Sequence, residues 1–268
     1  MKKRCFKNIA ALIMIAFLSL LSCKKIIHVD LNTVDSILVI DADMSSLYGL
    51  NVVLSRSVAF YDDNSFPPVN DAIVILENLK TNKIDTVPFD SNGKYYLNKK
   101  PSVGTSYQLS VIVDGVTYTA VSTMPTIIAL DSVTFAKRAL LGNTIISARV
   151  NFQDKAGVDN YYLFKQYILK RDALNFFAFS DRLSDGRYIQ YDLLNDSSYI
   201  KDGDSIAVDM QCIDENVYNY YSVLESITAE ESVLGTTSPA NPPTNIVGDN
   251  VLGVFNVHSE EIKKVAAP

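Results

Sequence analysis

The chain reads as all-β, mainly β: an N-terminal immunoglobulin-like or prealbumin-like β-sandwich followed by a β-rich domain carrying one helix. Three observations predict this. From residue 36 onward apolar residues recur with a period of two, Asp-Gly and Asn-Gly pairs punctuate the runs, and one stretch has the three-and-four spacing of an amphipathic helix.

The first 35 residues stand apart. Lys2, Lys3, Arg4 and Lys7 precede a 13-residue apolar run, 9–21, that ends in Leu20-Leu21-Ser22-Cys23. A basic start, an apolar run short of the ~20 residues of a membrane span, and a small residue before cysteine predict a lipoprotein signal over 1–22. Cys23 is then the acylated, palmitate-bearing first residue of the mature chain, and 23–35 form a lipidated tether. Lys24 and Lys25 follow, with no Asp beside the anchor to favour inner-membrane retention. The expected address is therefore the outer membrane, lipid-anchored, with the periplasmic or cell-surface side open.

Residues 36–122 carry the first expected sandwich. Tyr107, Leu109, Val111 and Val113 alternate with Gln108, Ser110, Ile112 and Asp114, and Asp114-Gly115 turns the chain into the run 116–121. That is a β-hairpin, because Asp-Gly supplies the positive φ angles of a type I′ turn. Asn92-Gly93, Asp185-Gly186 and Asp202-Gly203 repeat the signal, and short runs at 37–40, 51–55, 72–76 and 95–97 fill the spaces. Strands this short and closely spaced suit a sandwich.

Met124-Pro125 interrupts the pattern, since proline cannot donate to a ladder, and marks the expected domain boundary. The second domain is expected over 126–268. Ile146, Ala148, Val150 and Phe152 share a strand face, 158–169 forms a long aromatic strand, and Ile206, Val208, Met210 and Cys212 form another apolar face that points Cys212 into a core. Asp214 is a plausible N-cap for a helix whose stripe is Val217, Tyr220, Tyr221, Leu224 and Ile227, expected to pack on this domain's sheet. A Pro/Asn/Thr-rich loop, 236–244, leads to a last strand around 251–257.

Composition narrows the function. The leader takes four of the 24 basic residues, leaving 20 against 30 acids, or about −10. Such a surface argues against nucleic acid, whose phosphates require basic partners. Of three cysteines, Cys5 leaves with the leader and Cys23 is acylated, so Cys212 has no partner for an intramolecular disulfide.

The search for chemistry returns little. The two histidines, His28 in the tether and His258 near the C-terminus, sit in no motif, and there is no Gly-x-Ser-x-Gly, no His-Glu-x-x-His and no Gly-rich phosphate loop. Ser91-Asn92-Gly93-Lys94 fits Ser-x-x-Lys only formally, since Asn-Gly makes a hairpin turn there. Asp41 with Asp43, Asp62-Asp63-Asn64, and Asp202 with Asp204 are read as solvated turn acids, because none alone offers the six to eight oxygens of a calcium site. No catalytic residue, metal or cofactor is expected. The binding reading rests on aromatics: Phe60, Tyr61 and Phe66 bracket the acidic tip Asp62-Asp63 before Pro67-Pro68, and Phe176, Phe177 and Phe179 precede Asp181-Arg182. The competing reading is that these rings plug the ends of sandwiches.

The order of motifs resembles a family of Bacteroidota lipoproteins catalogued as domain of unknown function 4249. Four segments carry the likeness: Cys23-Lys24-Lys25 running into Val29-Asp30-Leu31; Pro68-Val69-Asn70-Asp71-Ala72-Ile73-Val74; Tyr118-Thr119-Ala120 with Met124-Pro125 and Leu130-Asp131-Ser132-Val133; and Asn245-Ile246 with Gly253-Val254-Phe255. The resemblance implies an extracytoplasmic lipoprotein, often associated with TonB-dependent receptors, with no established catalytic residues. Separately, 68–97 resembles the regulatory-like sandwich of carboxypeptidases, with Asp90-Ser91-Asn92-Gly93-Lys94-Tyr95 in its Asp-x-x-Gly-x-Tyr turn.

The expectation is a non-enzymatic outer-membrane lipoprotein that serves as an accessory or binding subunit of a TonB-dependent transport or surface complex. Its partners are the membrane, through the N-terminal lipid, and an outer-membrane transporter. Phe60, Tyr61, Asp62, Asp63 and Phe66 form its contact loop. The alternative is a stand-alone glycan- or peptide-binding surface module.

Overall fold

Alternation builds the first sheet. In β1 (Leu38–Ser45) the side chains of Leu38, Ile40, Ala42 and Met44 point into a core, while Val39, Asp41, Asp43 and Ser45 face the other way. A computed structural model describes residues 36–58, 65–140, 143–171, 173–194, 199–230 and 241–268. After β1 come β2 (Gly49–Arg56), β3 (Ile73–Asn78), β4 (Lys83–Val87), β5 (Phe89–Ser91), β6 (Lys94–Leu97), β7 (Ser106–Val113) and β8 (Val116–Thr123). The turn pairs behave as their chemistry requires: Asn92 and Gly93 have φ of 47° and 75°, and Asp114 and Gly115 have 53° and 78°.

After Met124 the chain leaves this first core, and Leu130 is the first buried residue of a second. There the chain forms β9 (Ser132–Leu140), β10 (Asn143–Gln153), β11 (Tyr161–Ile168), β12 (Ala173–Ser180), a one-turn 3-10 helix Asp181–Leu183, β13 (Tyr188–Leu193) and β14 (Ser205–Ile213). The helix α1 (Glu215–Glu230) starts where expected, with Asp214 Oδ1 accepting the Val217 N–H at 3.0 Å. β15 (Ile246–Val247), β16 (Val251–His258) and β17 (Glu261–Ala266) complete the order. The expected long aromatic strand starts only at Tyr161, because the Asn160 N–H and side-chain amide donate to Asp181 Oδ2 and not to a neighbouring strand.

Each sandwich is two sheets on one apolar core. The first pairs β16-β1-β2-β6-β5 with β15-β8-β7-β3-β4; the second pairs β13-β10-β9 with β12-β11-β14-β17. The architecture is thus all-β and sandwich-like with one helix, as the periodicity predicts.

One expectation about the last strands is corrected. The run 251–257, assigned to the second domain, leaves it: β16 lies parallel to β1, Leu38 opposite Val251 through Ser45 opposite His258, and β15 pairs with β8. Val251, Phe255 and Val257 are buried in the first core. Nor is β16 the final strand, since β17 returns to pair with β14 of the second sandwich. The reason is hydrophobic. β16 is buried on both faces, with Phe255 in the first core and Val254 against Leu163, Ile213 and Val217, so it is most stable between two bodies. Gly253 permits this: at φ +112° an added Cβ would lie 1.9 Å from the Ile40 carbonyl oxygen.

No helix among the described residues is long and apolar enough to cross a membrane.

Candidate functional site

The polar residues that matter lie on the outer faces of β1, β11, β14 and β16, where the first sandwich meets the second. The alternation that buries Ile40 and Ala42 turns Asp41 and Asp43 outward, and on β16 it turns out Asn256 and His258. On β14 it presents Asp209 and Gln211, with Lys165 directly across from Asp209 on β11.

At the centre is a charged pair, a buried His258 against a half-buried Asp43. His258 is fully enclosed, its Nε2 2.9 Å from Asp43 Oδ1 and its Nδ1 2.8 Å from the Ser259 carbonyl oxygen. Both partners are acceptors, so only the doubly protonated ring satisfies both contacts. Burial opposes the charge, but the Asp43 carboxylate outweighs it and the pKa of His258 is raised. Burial likewise pushes Asp43 up, while the His258 charge, its hydrogen bond, Lys165 and Asn256 together carry it below the usual carboxylate value.

A chain of amides extends from this pair across the layer. Asn256 Nδ2 donates to Asp43 Oδ1 at 3.4 Å and to Gln211 Oε1 at 3.3 Å, and Gln211 Nε2 donates to Asp209 Oδ2 at 2.7 Å. The far ends are not satisfied: Asn256 Oδ1 and Asp209 Oδ1 are buried without a hydrogen-bond partner. Burial, then the nearby Glu260 charge, push Asp209 up to about 6. Ser45 donates to Glu260, whose own N–H bonds Ser46 Oγ at 3.0 Å. The helix is tied in separately, with Asp214 Oδ2 accepting from Ser122 Oγ at 2.6 Å and Thr123 N at 3.0 Å.

Beside His258 the layer meets water. Asp41 is exposed, and Lys165, Tyr167, Tyr220 and Tyr221 are half-buried. Burial, then the Asp43 charge, raise the pKa of Asp41, and burial followed by the Asp41 charge raises those of Tyr220 and Tyr221. Asp43 likewise keeps 35 % of its side chain open to water.

These placements correct one reading. Asp41 and Asp43 are not turn acids but neighbours on one face of a central strand, and Asp43 is tied to His258. Asp204 is also more than a solvated acid: it is buried, paired with Arg171 at 2.8 Å and bonded to the Lys201 N–H at 2.9 Å. Of the expected contact loop, Phe60, Tyr61, Asp62 and Asp63 lie outside the described residues, as does Cys23. Phe66 is described and exposed. The second aromatic group goes inward: Phe177 is buried, Phe179 packs on the same core, and Phe176 meets Tyr221 at 5.8 Å. Cys212 is buried as expected, its thiol pushed up by burial.

Sequence reasoning missed a further acidic group because its members are far apart in the chain. Asp154, Asp181 and Asp185 each offer an oxygen within 4.8 Å of the others. Those carboxylates are already bonded inward, Asp154 to the Tyr162 hydroxyl and Gly186 N–H, Asp181 to Asn160, and Asp185 to the Gly157 N–H. Three oxygens also fall short of the six to eight that calcium takes.

Comparison with known proteins adds a family and little else. The family described as Domain of unknown function (DUF4249) matches residues 24–264, a span that includes all four segments of the resemblance except Cys23. No curated protein is detectably similar. Similar solved structures include a two fibronectin type-III domain segment of chicken tenascin, at 15% identity and TM-score 0.23, covering 66% of this chain and 91% of that one. Another is the selenomethionine-substituted chicken interferon gamma receptor alpha chain, at 10% identity and TM-score 0.23, covering 66% of this chain and 88% of that one. Values this low leave the fold to be read from the chain's own strand pairing.

Proposed function

The chain belongs to the DUF4249 family, and from that premise we propose that it is a non-enzymatic lipoprotein, held at the outer membrane through acylated Cys23, that acts as an accessory subunit of a TonB-dependent transport or surface complex. The observation that carries the non-enzymatic part is the state of His258. It is fully enclosed, bonded at both ring nitrogens to acceptors, and held protonated by Asp43, so it has no lone pair with which to take a proton from a nucleophile. Cys212 offers no substitute, being buried with a raised thiol pKa. The anchor is supported by the basic start, the 13-residue apolar run and Ser22-Cys23, and the partner by the family resemblance.

Two measurements test this. Metabolic labelling with a palmitate probe should mark the parent and spare a Cys23→Ser variant; equal marking removes the anchor. Affinity purification of the full chain from solubilised outer membrane should recover a TonB-dependent receptor, and recovery of no membrane partner overturns the accessory role. A stand-alone glycan- or peptide-binding module is the second reading, favoured by the half-buried Tyr220 and Tyr221, whose rings meet edge to face at 5.2 Å.

A further inference from the structure

The two sandwiches differ in what their outer faces show to water. On the β13-β10-β9 face of the second, Arg138 and Arg149 both reach Asp192, at 2.6 and 2.5 Å, and Gln190 donates to Asn151 at 3.2 Å, so that face is polar and bonded within itself. The outer face of β15-β8-β7-β3-β4 in the first is largely aliphatic. Ile75, Ser110, Thr119 and Val247 lie side by side across β3, β7, β8 and β15. Ile73 pairs with Ile112 on one side of that row, and on the other Ile84 pairs with Glu77, whose line runs on through Gln108 to Val121. Side chains opposite each other on paired strands touch, so the patch is continuous. Glu77 is its one charge, Ile73, Ile84, Val121 and Val247 are exposed, and no described strand or helix packs on β3, β4 or β7 from this side.

The patch also has a shape. At its β4 edge Ile84 projects, 63 % exposed. At its β8–β15 edge the surface is hollow: a cavity of about 300 Å³ is lined by Thr119, Val121, Val247 and, from the first turn of α1, Asn216. β7 is the middle strand of the five. A two-fold axis laid along β7, in the plane of contact between two copies, carries β4 of one copy over β15 of the other, so that each Ile84 meets the other copy's hollow. Strand directions then stay aligned, which is the geometry in which two sheets pack face to face about 10 Å apart.

Charge points to the same occupant. The leader aside, 20 basic residues face 30 acids, and a second copy carries the same excess, so two copies meet with least repulsion through a face that holds one charge each. A face of five strands about 4.8 Å apart and three rows about 7 Å apart covers roughly 400 Å², or about 800 Å² for two copies. Stable dimers bury about 1,600 Å², and pairs below about 1,200 Å² are transient. We infer that the outer face of β15-β8-β7-β3-β4 is a self-association surface, on which two copies of this chain form a weak symmetric dimer with Ile84 of each seated in the β8–β15 hollow of the other. The inference goes beyond the accessory role and does not depend on it.

Analytical ultracentrifugation of the mature chain, residues 23–268 with Cys23→Ser to exclude lipid-driven association, tests this from about 10 to about 500 µM. The mean mass should climb reversibly towards that of a dimer, with a Kd on the order of 100 µM. Ile84→Glu and Val247→Glu alter exposed side chains, should leave the melting temperature unchanged, and should each weaken association at least about tenfold. Leu183→Lys, which removes an aliphatic side chain 90 % exposed on the second sandwich, should leave it unchanged. Ser110→Cys lies on the two-fold axis and should be joined to its counterpart by a bis-maleimide about 10 Å long, Cys212 being buried and inert. A chain that stays monomeric at the highest concentration, association lost equally with Leu183→Lys, or association without the Ser110→Cys cross-link each overturns the inference. If Ile84→Glu abolishes receptor recovery while the parent chain is monomeric, the face belongs to the receptor and not to a second copy. Recovery of no receptor beside intact self-association would remove only the accessory role.

Discussion

The interior of each sandwich and the layer between the sandwiches are built on opposite principles. The second core is a packed aromatic group, Phe152 against Tyr162 at 4.8 Å and Phe164 at 5.9 Å, with Phe177 buried beside them. The layer between the bodies is a relay of His258, Asp43, Asn256, Gln211 and Asp209, with two oxygens left over. Apolar packing gives most of the stability and is indifferent to pH. A buried polar layer adds little net stability, because desolvation offsets its attraction, but it fixes one geometry and makes stability depend on pH. The comparison teaches that the cores hold the molecule together while the layer sets how its two halves meet.

The crossing strand serves both regions, so the largest effect is expected there. Gly253→Ala places a Cβ 1.9 Å from the Ile40 oxygen and 2.6 Å from its carbon, both backbone atoms that cannot step aside. It should cost more than about 4 kcal/mol, removing Phe255 from one core and His258 from the layer together. Denaturant unfolding checks this, and a cost near that of an exposed glycine would mean β16 is dispensable. Next comes Phe152→Ala, which empties a fully buried ring and should cost about 3–4 kcal/mol equally at pH 5 and pH 8. A pH-dependent loss would break the contrast between core and layer.

The layer should answer differently. His258→Gln removes the buried cation from Asp43 and should cost about 2 kcal/mol, less than the 3–5 kcal/mol of a fully enclosed pair, because Asp43 keeps 35 % of its side chain in water. The raised His258 pKa makes this contribution complete below the ordinary imidazole value and lost as pH rises through the folded value; the lowered Asp43 pKa makes its share vanish only in acid. Melting temperatures of parent and variant should therefore differ most near pH 6 and converge in alkali. One residue of the second core breaks its own rule: Gln166 is fully buried with both amide atoms unpaired. Gln166→Met should stabilise by about 1–2 kcal/mol, independent of pH. A loss would show that this amide has a partner or a role.

Much of this was legible in the chain. Asp114-Gly115 and Asn92-Gly93 gave their turns because positive φ is a local property, and Asp214 gave the helix start because a cap is set within three residues. Cys212 was placed inward by simple alternation, whereas Phe177 could be read as a contact or as a plug until the structure buried it. The β1–β16 pairing was not legible, since parallel partners more than 200 residues apart leave no local trace. β17 was missed because Glu261-Ile262-Lys263-Lys264 is too charged to look like a strand, and it exists through its pairing with β14. The polar layer was hidden differently. Asp41 and Asp43 continue the alternation begun at Leu38, yet acids two apart look like a turn until the strand is extended. Tyr220 and Tyr221 were seen only as part of a helical stripe.

The smallest expected effect separates the layer's charge from its shape. Asp209 is almost fully buried, one oxygen bonded to Gln211 and the other to nothing, and burial lifts its carboxyl from 3.8 to about 6. The folded state thus holds a proton that the unfolded state has released, so this residue lowers stability progressively as pH rises from about 4 to about 6, and the loss persists above. Asp209→Asn keeps the side-chain shape and an acceptor for Gln211 but has no charge to bury. At pH 4, where Asp209 is largely protonated, parent and variant should melt together; at pH 8 the variant should be more stable by about 1 kcal/mol. A variant less stable at every pH would mean that Lys165, directly across the strand pair, needs the negative charge more than the layer suffers from it.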